Sequence, residues 1–255
     1  MTALDAPTGH DDWESHWGAY AEAAEKNPAQ AYRRALTLEL VGARGVPERL
    51  LDIGSGQGDF LRDAHARWPT SALTGLELSS SGIRESRLKV PAARFVQRDL
   101  IDDGSPLEPE LRHWATHAVC SEVLEHLDDP IAFLANARSY LATDCRLVVT
   151  VPGGPRSAFD RHIGHRRHYD RSTLTCMLQD AGFDVEQVLA AGFPAFNLYK
   201  LVVIARGKRL IGDADESDGN ARLARVAMAA FGPLFRLAHP NSRWGWQLLA
   251  VATPN

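Results

Sequence analysis

The segment from Leu50 to Phe60, "LLDIGSGQGDF", constrains the fold more than any other part of the sequence. An apolar run ends near Asp52, glycines follow at alternate positions, and a helical pattern starts at Asp59. This order predicts a buried strand, a tight turn and a helix, and the glycines let a ligand approach main-chain N–H groups. Such a strand–turn–helix unit is typical of α/β proteins.

Further short apolar runs alternate with helical patterns along the chain, which predicts a parallel sheet covered by helices. We expect strands at residues 49–53, 72–77, 93–97, 116–121, 146–151, 184–190 and 244–253. We expect helices at residues 58–67, 80–88, 130–141 and 172–183. The last two strands enclose a long helical segment, so we expect them to form an antiparallel hairpin at one edge of the sheet.

The length of 255 residues suits one domain. We interpret residues 13–255 as that domain and residues 1–12 as a disordered tail before it. Residues 13–45 are predicted to form an N-terminal helical lid, with Asn27 capping a helix that has Pro28 at its first position. Residues 194–243 are predicted to be a helical insert between the last two strands.

Charge and composition exclude several classes of protein. A formal net charge of -4 leaves no basic excess to hold a phosphate backbone, so nucleic acid is not an expected partner. The three cysteines lie far apart, and the N-terminal residues lack the pattern of a secretory signal. No apolar run reaches the roughly 20 residues that span a bilayer. We therefore expect a cytoplasmic protein.

The second predicted strand ends at Glu77, 19 residues after Gly58, where an acid can accept hydrogen bonds from the two hydroxyls of a ribose. The glycine spacing is GxGxG, whereas dinucleotide-binding loops have GxGxxG. The charge of Asp52 beside the loop disfavours a pyrophosphate and suits a cationic ligand such as a sulfonium. A nucleotide-binding oxidoreductase remains the alternative at this point.

Five segments together resemble the class I S-adenosylmethionine-dependent methyltransferases. They are "LLDIGSGQG", "GLELS", "FVQRDL", "CSEVLEHLDDP" and "VTVPG". The sequence is most similar to the small-molecule branch that includes the ubiquinone-type O-methyltransferases. The resemblance implies a Rossmann-like seven-stranded sheet of order 3-2-1-4-5-7-6 with strand 7 antiparallel. It also implies S-adenosylmethionine as cofactor and an oxygen atom of a small molecule as methyl acceptor; a non-catalytic member of the fold is the alternative.

The resemblance assigns the methionine part of the cofactor to Gly54, Gly56 and the region of Asp52. It assigns the ribose hydroxyls to Glu77 and one side of the adenine to Leu78. The complete set of cofactor residues that it implies is Asp52, Gly54, Ser55, Gly56, Gly58, Glu77, Leu78, Asp99, Leu100, Ser121 and Arg33.

The remaining cofactor residues are more widely spread. Asp99 would accept a hydrogen bond from the adenine amino group, and Leu100 would donate one from its main-chain N–H. Ser121 and Glu122 would lie beside the methionine and the sulfonium. Arg33, in the N-terminal helix, would close over the cofactor carboxylate, or it would lie on a solvated face.

Residues after the fourth strand are candidates for acid–base chemistry. His126 follows Glu122 by four residues, so one helical turn would place both on one side. The same stretch has a second interpretation, in which Asp128 or Asp129 caps the helix that begins at Pro130 and His126 has a structural role.

The segment "DRHIGHRRHYD", residues 160–170, follows the fifth strand. Its three histidines cannot share one face of a regular helix or strand, so they would converge only in an irregular loop, and we expect no metal site. The resemblance favours His165 as a general base and Arg166 and Tyr169 as acceptor-binding residues. In the alternative interpretation, His165 and Tyr169 pack the loop onto the sheet.

Aromatic residues complete the predicted acceptor pocket. Trp17 and Tyr20 lie on one side of the N-terminal helical pattern, and Phe196 opens the insert. We expect a small-molecule acceptor that is anionic or partly apolar. The apolar and basic stretch "FNLYKLVVIARGKRL" would alternatively contact a membrane surface or a second subunit in a homodimer.

Overall fold

The computed structural model describes residues 27–101, 108–213 and 232–255. The strands are β1 (Arg49–Ile53), β2 (Ala72–Glu77), β3 (Arg94–Gln97), β4 (Ala115–Ser121), β5 (Leu141–Pro152), β6 (Phe183–Ala191) and β7 (Gln247–Pro254). The helices are α1 (Pro28–Val41), α2 (Asp59–Arg67), α3 (Ser80–Lys89), α4 (Pro130–Ala137), α5 (Ala158–His162), α6 (Arg171–Asp180) and α7 (Ala195–Asp213).

The seven strands form one sheet with the order β3-β2-β1-β4-β5-β7-β6. Strands β1 to β5 pair in parallel, and β7 is antiparallel to both of its neighbours. The predicted order and the edge hairpin are therefore confirmed. Because β1 to β5 run in one direction, their carboxyl ends lie along one edge of the sheet, where ligands bind in open α/β folds.

The largest difference from the sequence prediction lies between α4 and β5. The helix expected over residues 130–141 ends at Ala137 and continues as a 3₁₀ turn, and β5 begins at Leu141 rather than at residue 146. Tyr140 is buried, and its hydroxyl accepts a hydrogen bond of 2.7 Å from Arg98 Nε. This anchored ring fixes the chain against the sheet, so the strand starts directly after it.

Helix α1 starts where the sequence predicts. Pro28 occupies its first position, and Asn27 Oδ1 accepts a hydrogen bond of 2.9 Å from the main-chain N–H of Ala29. The rest of the predicted lid, residues 13–26, lies outside the described residues, as does the tail at residues 1–12.

Two apolar layers enclose the sheet. Leu51 and Val149 belong to the core on one face, whereas their neighbours Leu50 and Val148 belong to the core on the other. All four side chains are fully buried. The near-continuous apolar runs in the sequence therefore reflect strands that are covered on both faces.

The segment between β6 and β7 contains α7 and, after residues that are not described, a 3₁₀ helix at Gly232–Leu237. It occupies the place of the predicted insert. Helix α7 exposes Leu198, Leu201 and Val202. Among the described helices, none is long and apolar enough to cross a membrane.

Arg146 on β5 links helix α1 to strand β6. Its side chain is buried; Nε donates to the carbonyl of Leu40 at 2.8 Å, and Nη1 lies 3.1 Å from a carboxylate oxygen of Glu186. We expect Arg146→Met to lower the free energy of unfolding by about 1 to 3 kcal/mol, because buried acceptors lose a charged donor.

The matched control is Arg44, which binds the other oxygen of Glu186 with a side chain that is 58% exposed. Arg44→Met should change the free energy of unfolding by less than about 0.5 kcal/mol. Urea denaturation of both variants measures the difference, and equal effects would contradict the anchoring role of Arg146.

Candidate active site

The glycine loop between β1 and α2 is packed too closely to hold larger residues. Gly54 has φ +75°, and a Cβ atom there would lie 2.6 Å from Val123 Cγ2. Gly58 has φ +77°, and its Cβ would lie 2.9 Å from the Cβ of Ser86. Both glycines are in the left-handed region, which side chains disfavour. The loop therefore lies against the segment after β4 on one side and α3 on the other.

Glu77 lies at the end of β2, as predicted, and is buried. One carboxylate oxygen accepts from the N–H of Gly56 at 2.8 Å, and the other accepts from the N–H of Ser79 at 2.8 Å. The carboxylate thus ties the glycine loop to the start of α3. Leu78 beside it is exposed, as a residue that flanks a ligand would be.

Asp52 is a buried acid on β1, paired in register with Gly75 and Val119 of the neighbouring strands. Burial and, to a smaller extent, the charge of Glu77 raise the pKa of Asp52 to about 8. Within the described part of the chain, no arginine or lysine forms an ion pair with Asp52. The hydroxyl of Ser55 is also buried and has no hydrogen-bond partner there. This part of the loop therefore suits a cationic ligand.

Asp99 and Leu100 follow β3, next to the end of β2. Asp99 Oδ1 accepts from the N–H of Ile101 at 2.8 Å. The carbonyl of the buried Leu100 accepts from Asn136 Nδ2 at 2.8 Å, which fixes this turn to α4. Both residues lie at the edge where an adenine is expected; their contacts to a cofactor stay predictions.

Glu122 follows β4 with φ +57°, which is uncommon for a residue with a side chain. Its Oε2 lies 3.0 Å from Arg33 Nη1. Its Oε1 accepts from Thr150 Oγ1 at 3.1 Å and from Gln247 Nε2 at 2.9 Å. Ser121, one residue earlier, shares a hydrogen bond of 2.8 Å with Thr150. The structure brings three predicted residues together here, and no sequence pattern marks Thr150 or Gln247 as their partners.

Glu125 lies in the 3₁₀ turn Leu124–His126 and is fully buried. Neither carboxylate oxygen has a hydrogen-bond partner among the described residues. Its Oε1 lies 4.0 Å from His126 Nε2 and 4.0 Å from His165 Nε2. Burial and the charge of Glu122 raise the pKa of Glu125 well above its usual range. Sequence reasoning did not single out Glu125, although its spacing from Glu122 and its place beside His126 were visible.

The imidazole rings of His126 and His165 belong to different segments and meet edge to face, with ring centroids 4.7 Å apart. Burial and, to a smaller extent, the neighbouring His126 lower the pKa of His165 to about 2. His165 is therefore a neutral imidazole at physiological pH and a weak proton acceptor.

The chain from α5 to α6 is irregular, as the histidine spacing requires for any convergence. His165 Nδ1 lies 3.2 Å from His168 Nε2, and His168 Nδ1 lies 3.1 Å from the carbonyl oxygen of Gly154. His162, by contrast, is exposed. Only two of the three histidines in this segment therefore face each other.

Asp160 connects the histidine segment, residues 160–170, to helix α7. Its carboxylate is buried, lies 2.6 Å from Lys200 Nζ and accepts from the N–H of Ser157 at 2.7 Å. Although burial opposes its ionisation, Lys200 and Ser157 hold the pKa of Asp160 at about 2. Neither Asp160 nor Lys200 was predicted as a site residue, because their pairing depends on the packing of α7 against α5.

Arg166 and Tyr169 bind protein groups. The N–H of Arg166 donates to the carbonyl of Glu125 at 2.8 Å, and its guanidinium pairs with the exposed Asp128. The hydroxyl of the buried Tyr169 donates to the carbonyl of Leu124 at 3.2 Å. These contacts match the loop-packing alternative. A role in acceptor binding stays a prediction for both residues.

The predicted aromatic pocket is described only in part. Phe196 is buried in a small cluster with Ala29 and Phe235. Trp17 and Tyr20 lie outside the described residues.

Comparison with known proteins identifies the family. The family model of the methyltransferase domain matches residues 20–188. Trans-aconitate 2-methyltransferase of Enterobacter sp. (strain 638) is 27% identical over 123 residues, which are 47% of this chain and 46% of that protein. The chain thus spans less than half the length of the curated relatives it matches.

Solved structures share the fold. A TehB-like SAM-dependent methyltransferase from Corynebacterium glutamicum has a TM-score of 0.54 and 17% identity, covering 96% of this chain and 97% of that one. Phosphoethanolamine N-methyltransferase 2 of Haemonchus contortus, in complex with S-adenosyl-L-methionine, has a TM-score of 0.62 and 15% identity, covering 98% of this chain and 62% of that one. With the family model matching more than half of the residues, the chain belongs to the methyltransferase domain family, as its resemblance to the class I enzymes predicted.

Proposed function

We propose that this chain transfers the methyl group of S-adenosylmethionine to an oxygen atom of a small molecule. The observation that carries the proposal is Asp52, a buried acid beside the glycine loop whose charge no described cation balances. A sulfonium and an α-amino group are cations of the right kind. The Haemonchus contortus neighbour, which has the same fold, is a complex with this cofactor.

The loop residues fit the cofactor. Glu77 accepts a main-chain N–H at each carboxylate oxygen. A carboxylate is an acceptor group with several lone pairs, which is the chemistry that binding of ribose hydroxyls needs. Asp99 and the N–H of Leu100 would bind the adenine, with Leu78 beside it. When bound, S-adenosylmethionine supplies a methyl group activated by a positively charged sulfur.

Arg33 fits the carboxylate of the cofactor. It belongs to α1 but lies at the end of β4, where Glu122 holds one of its nitrogens. Its Nε is buried and has no hydrogen-bond acceptor among the described residues. A carboxylate bound there would satisfy this donor and would draw α1 over the cofactor.

The acceptor side is the cluster of Glu125, His126 and His165 at the carboxyl ends of β4 and β5. A hydroxyl nucleophile must lose a proton, whereas a carboxylate acceptor has none to lose, and these are the titratable groups placed to assist a hydroxyl. The lowered pKa of His165 makes it a weak general base. A neutral imidazole nitrogen of this kind is better suited to donate its lone pair to a ligand than to take up a proton. The Enterobacter relative, trans-aconitate 2-methyltransferase, has a name that denotes an anionic acceptor, in line with the anionic acceptor expected from Arg166.

The residues proposed to bind the acceptor are Trp17, Tyr20, Arg166, Tyr169 and Phe196. An oxidoreductase acting on a dinucleotide is the weaker candidate, since a buried acid such as Asp52 beside the loop repels a pyrophosphate. A non-catalytic role would require cofactor binding without turnover.

The ionisation of Asp52 should control cofactor affinity. An acid with a pKa of about 8 is mostly neutral below that pH, so its attraction for a cation is lost as pH falls through 8. We expect the affinity of the wild-type chain for S-adenosylmethionine to rise from pH 6.5 toward pH 8.5, by at most about tenfold per unit. Isothermal titration calorimetry of Asp52→Asn should show a flatter dependence. Parallel pH curves would show that Asp52 does not contact the cationic part of the cofactor.

Glu77 should matter for binding of S-adenosylhomocysteine. Glu77→Gln keeps the shape but loses the charge and one acceptor, and we expect at least about tenfold weaker binding, because hydrogen bonds to charged groups contribute about 1.5 to 3 kcal/mol. The control is Glu85→Gln on the exposed face of α3, which should bind within twofold of wild type. Unchanged affinity in Glu77→Gln would remove the cofactor assignment.

The oxygen acceptor can be tested with S-adenosylmethionine carrying a labelled methyl group and a panel of phenols, aliphatic alcohols, carboxylic acids and amines. We expect label in O-methyl products. His165→Ala should lower turnover by about 100-fold or more, with S-adenosylhomocysteine binding within twofold of wild type. His162→Ala, an exposed histidine of the same segment, is the control. Label in N-methyl products alone would reject the oxygen assignment.

A further inference from the structure

We propose that Glu125, His126 and His165 bind one divalent metal ion of the first transition row. The three residues come from two segments that follow β4 and β5, and the fold brings them together at the carboxyl edge of the sheet. All three are buried.

The separation of the donor atoms suits an ion between them. Glu125 Oε1 lies 4.0 Å from a nitrogen of each histidine, and the three residues offer ligand atoms within 4.8 Å of one another. An ion equidistant from atoms so placed would lie about 2.3 to 2.5 Å from each, slightly beyond the roughly 2.0 to 2.2 Å of zinc bonds to imidazole nitrogen and carboxylate oxygen. A contraction of a few tenths of an ångström would complete the site.

Glu125 lacks any other partner that would explain its burial. Its side chain is 0% exposed, and neither oxygen has a hydrogen-bond donor within the described part of the chain. A proton on the carboxyl group would not satisfy it, because both imidazole nitrogens at 4.0 Å are too far for a hydrogen bond. Buried carboxylates are costly unless they are paired or coordinate a metal, and a cation between the three groups removes that cost.

Hydrogen bonds on the far side of His165 fix its tautomer. The carbonyl of Gly154 can only accept, so His168 Nδ1 donates to it, and the Nε2 of a neutral His168 must then accept. His165 Nδ1 is the donor that faces this nitrogen, at 3.2 Å. The lone pair of His165 therefore sits on Nε2, which points toward Glu125. Ligating histidines typically donate their other ring N–H to an acceptor that fixes the tautomer, and His168 supplies that acceptor here.

The backbone holds these ligands in place without an ion. The N–H of Arg166, directly after His165, donates to the carbonyl of Glu125 at 2.8 Å. The N–H of His165 itself donates to the carbonyl of Asp160 at 2.9 Å. The two ligand segments are thus tied to each other, and binding an ion requires little further ordering.

The donor set indicates the kind of ion. Two imidazoles and one carboxylate suit Zn²⁺, Fe²⁺, Co²⁺ or Mn²⁺, whereas Mg²⁺ and Ca²⁺ prefer ligands that are all oxygen. Three protein ligands also leave coordination positions open, as in catalytic sites.

The metal site makes the proposed function more specific, because it defines the acceptor as an alcohol or a phenol. This assignment of the acceptor rests on the proposed function. A hydroxyl bound to the ion would give its proton to solvent, since a metal ion lowers the pKa of bound oxygen acids. The oxygen lone pair then forms the bond to the methyl carbon while the carbon–sulfur bond breaks and its electron pair stays on sulfur. The products are a methyl ether and S-adenosylhomocysteine.

Metal binding can be measured without turnover. The full chain, stripped with EDTA, is titrated with Co²⁺, whose visible absorption reports nitrogen and oxygen ligands. We expect one ion per chain. Glu125→Gln and His165→Ala should each weaken Co²⁺ binding by more than about 100-fold, and His168→Ala by about 10- to 100-fold. His162→Ala should bind within twofold of wild type, and thermal melting shows which variants fold.

The results separate this inference from the proposed function. Absence of stoichiometric Co²⁺ binding, or binding that is unchanged in folded Glu125→Gln and His165→Ala, would overturn the metal site. S-adenosylhomocysteine binding in the same preparations tests the cofactor assignment on its own. A chain that binds Co²⁺ but not S-adenosylhomocysteine would support the metal site and reject the methyltransferase proposal. A chain that binds S-adenosylhomocysteine but not Co²⁺ would support the cofactor assignment and reject the metal site.

Discussion

The carboxylate of Glu122 joins four parts of the chain at the carboxyl edge of the sheet. It extends from the end of β4 and binds Arg33 of α1, Thr150 of β5 and Gln247 of β7. To reach them, its backbone takes a left-handed conformation that side chains disfavour. Such a conformation persists when several contacts determine it together. This ion pair holds α1 over the edge together with the hydrogen bond from Arg146 to the carbonyl of Leu40.

Acidic groups dominate this edge, and their mutual repulsion explains what the site can bind. Glu77 raises the pKa of Asp52, and Glu122 raises the pKa of Glu125. Of these acids, Glu122 pairs with Arg33, whereas Asp52 forms no ion pair with an arginine or lysine of the described residues. Uncompensated buried acids lower stability, and proteins retain them where function needs them. A sulfonium beside Asp52 and a metal ion beside Glu125 would each supply the missing positive charge.

The sequence was sufficient for the sheet and the glycine loop, because both depend on local signals. The apolar runs predicted both ends of β1 and β2 correctly. The glycines predicted a turn, and its close contacts with Val123 and Ser86 exclude larger side chains. The cluster of Glu125, His126 and His165 could not be predicted in the same way. The string "EHLDDP" contains a helix cap, confirmed at Asp129, and that local role obscured Glu125. Only tertiary packing brings His165 to it.

The turn from residue 122 to residue 126 determines how the two halves of the site are related. Successive side chains of this short segment have different partners: Glu122 binds Arg33, Val123 contacts Gly54, and Glu125 faces the histidine cluster. In-line methyl transfer requires the donor and the acceptor to approach from opposite sides at a fixed separation, and errors of about 1 Å are costly. Under the proposed function, a segment that contacts the glycine loop with one residue and the histidine cluster with another would fix that separation through covalent geometry. The left-handed backbone at Glu122 begins this turn, and both contacts are made within five residues of the chain.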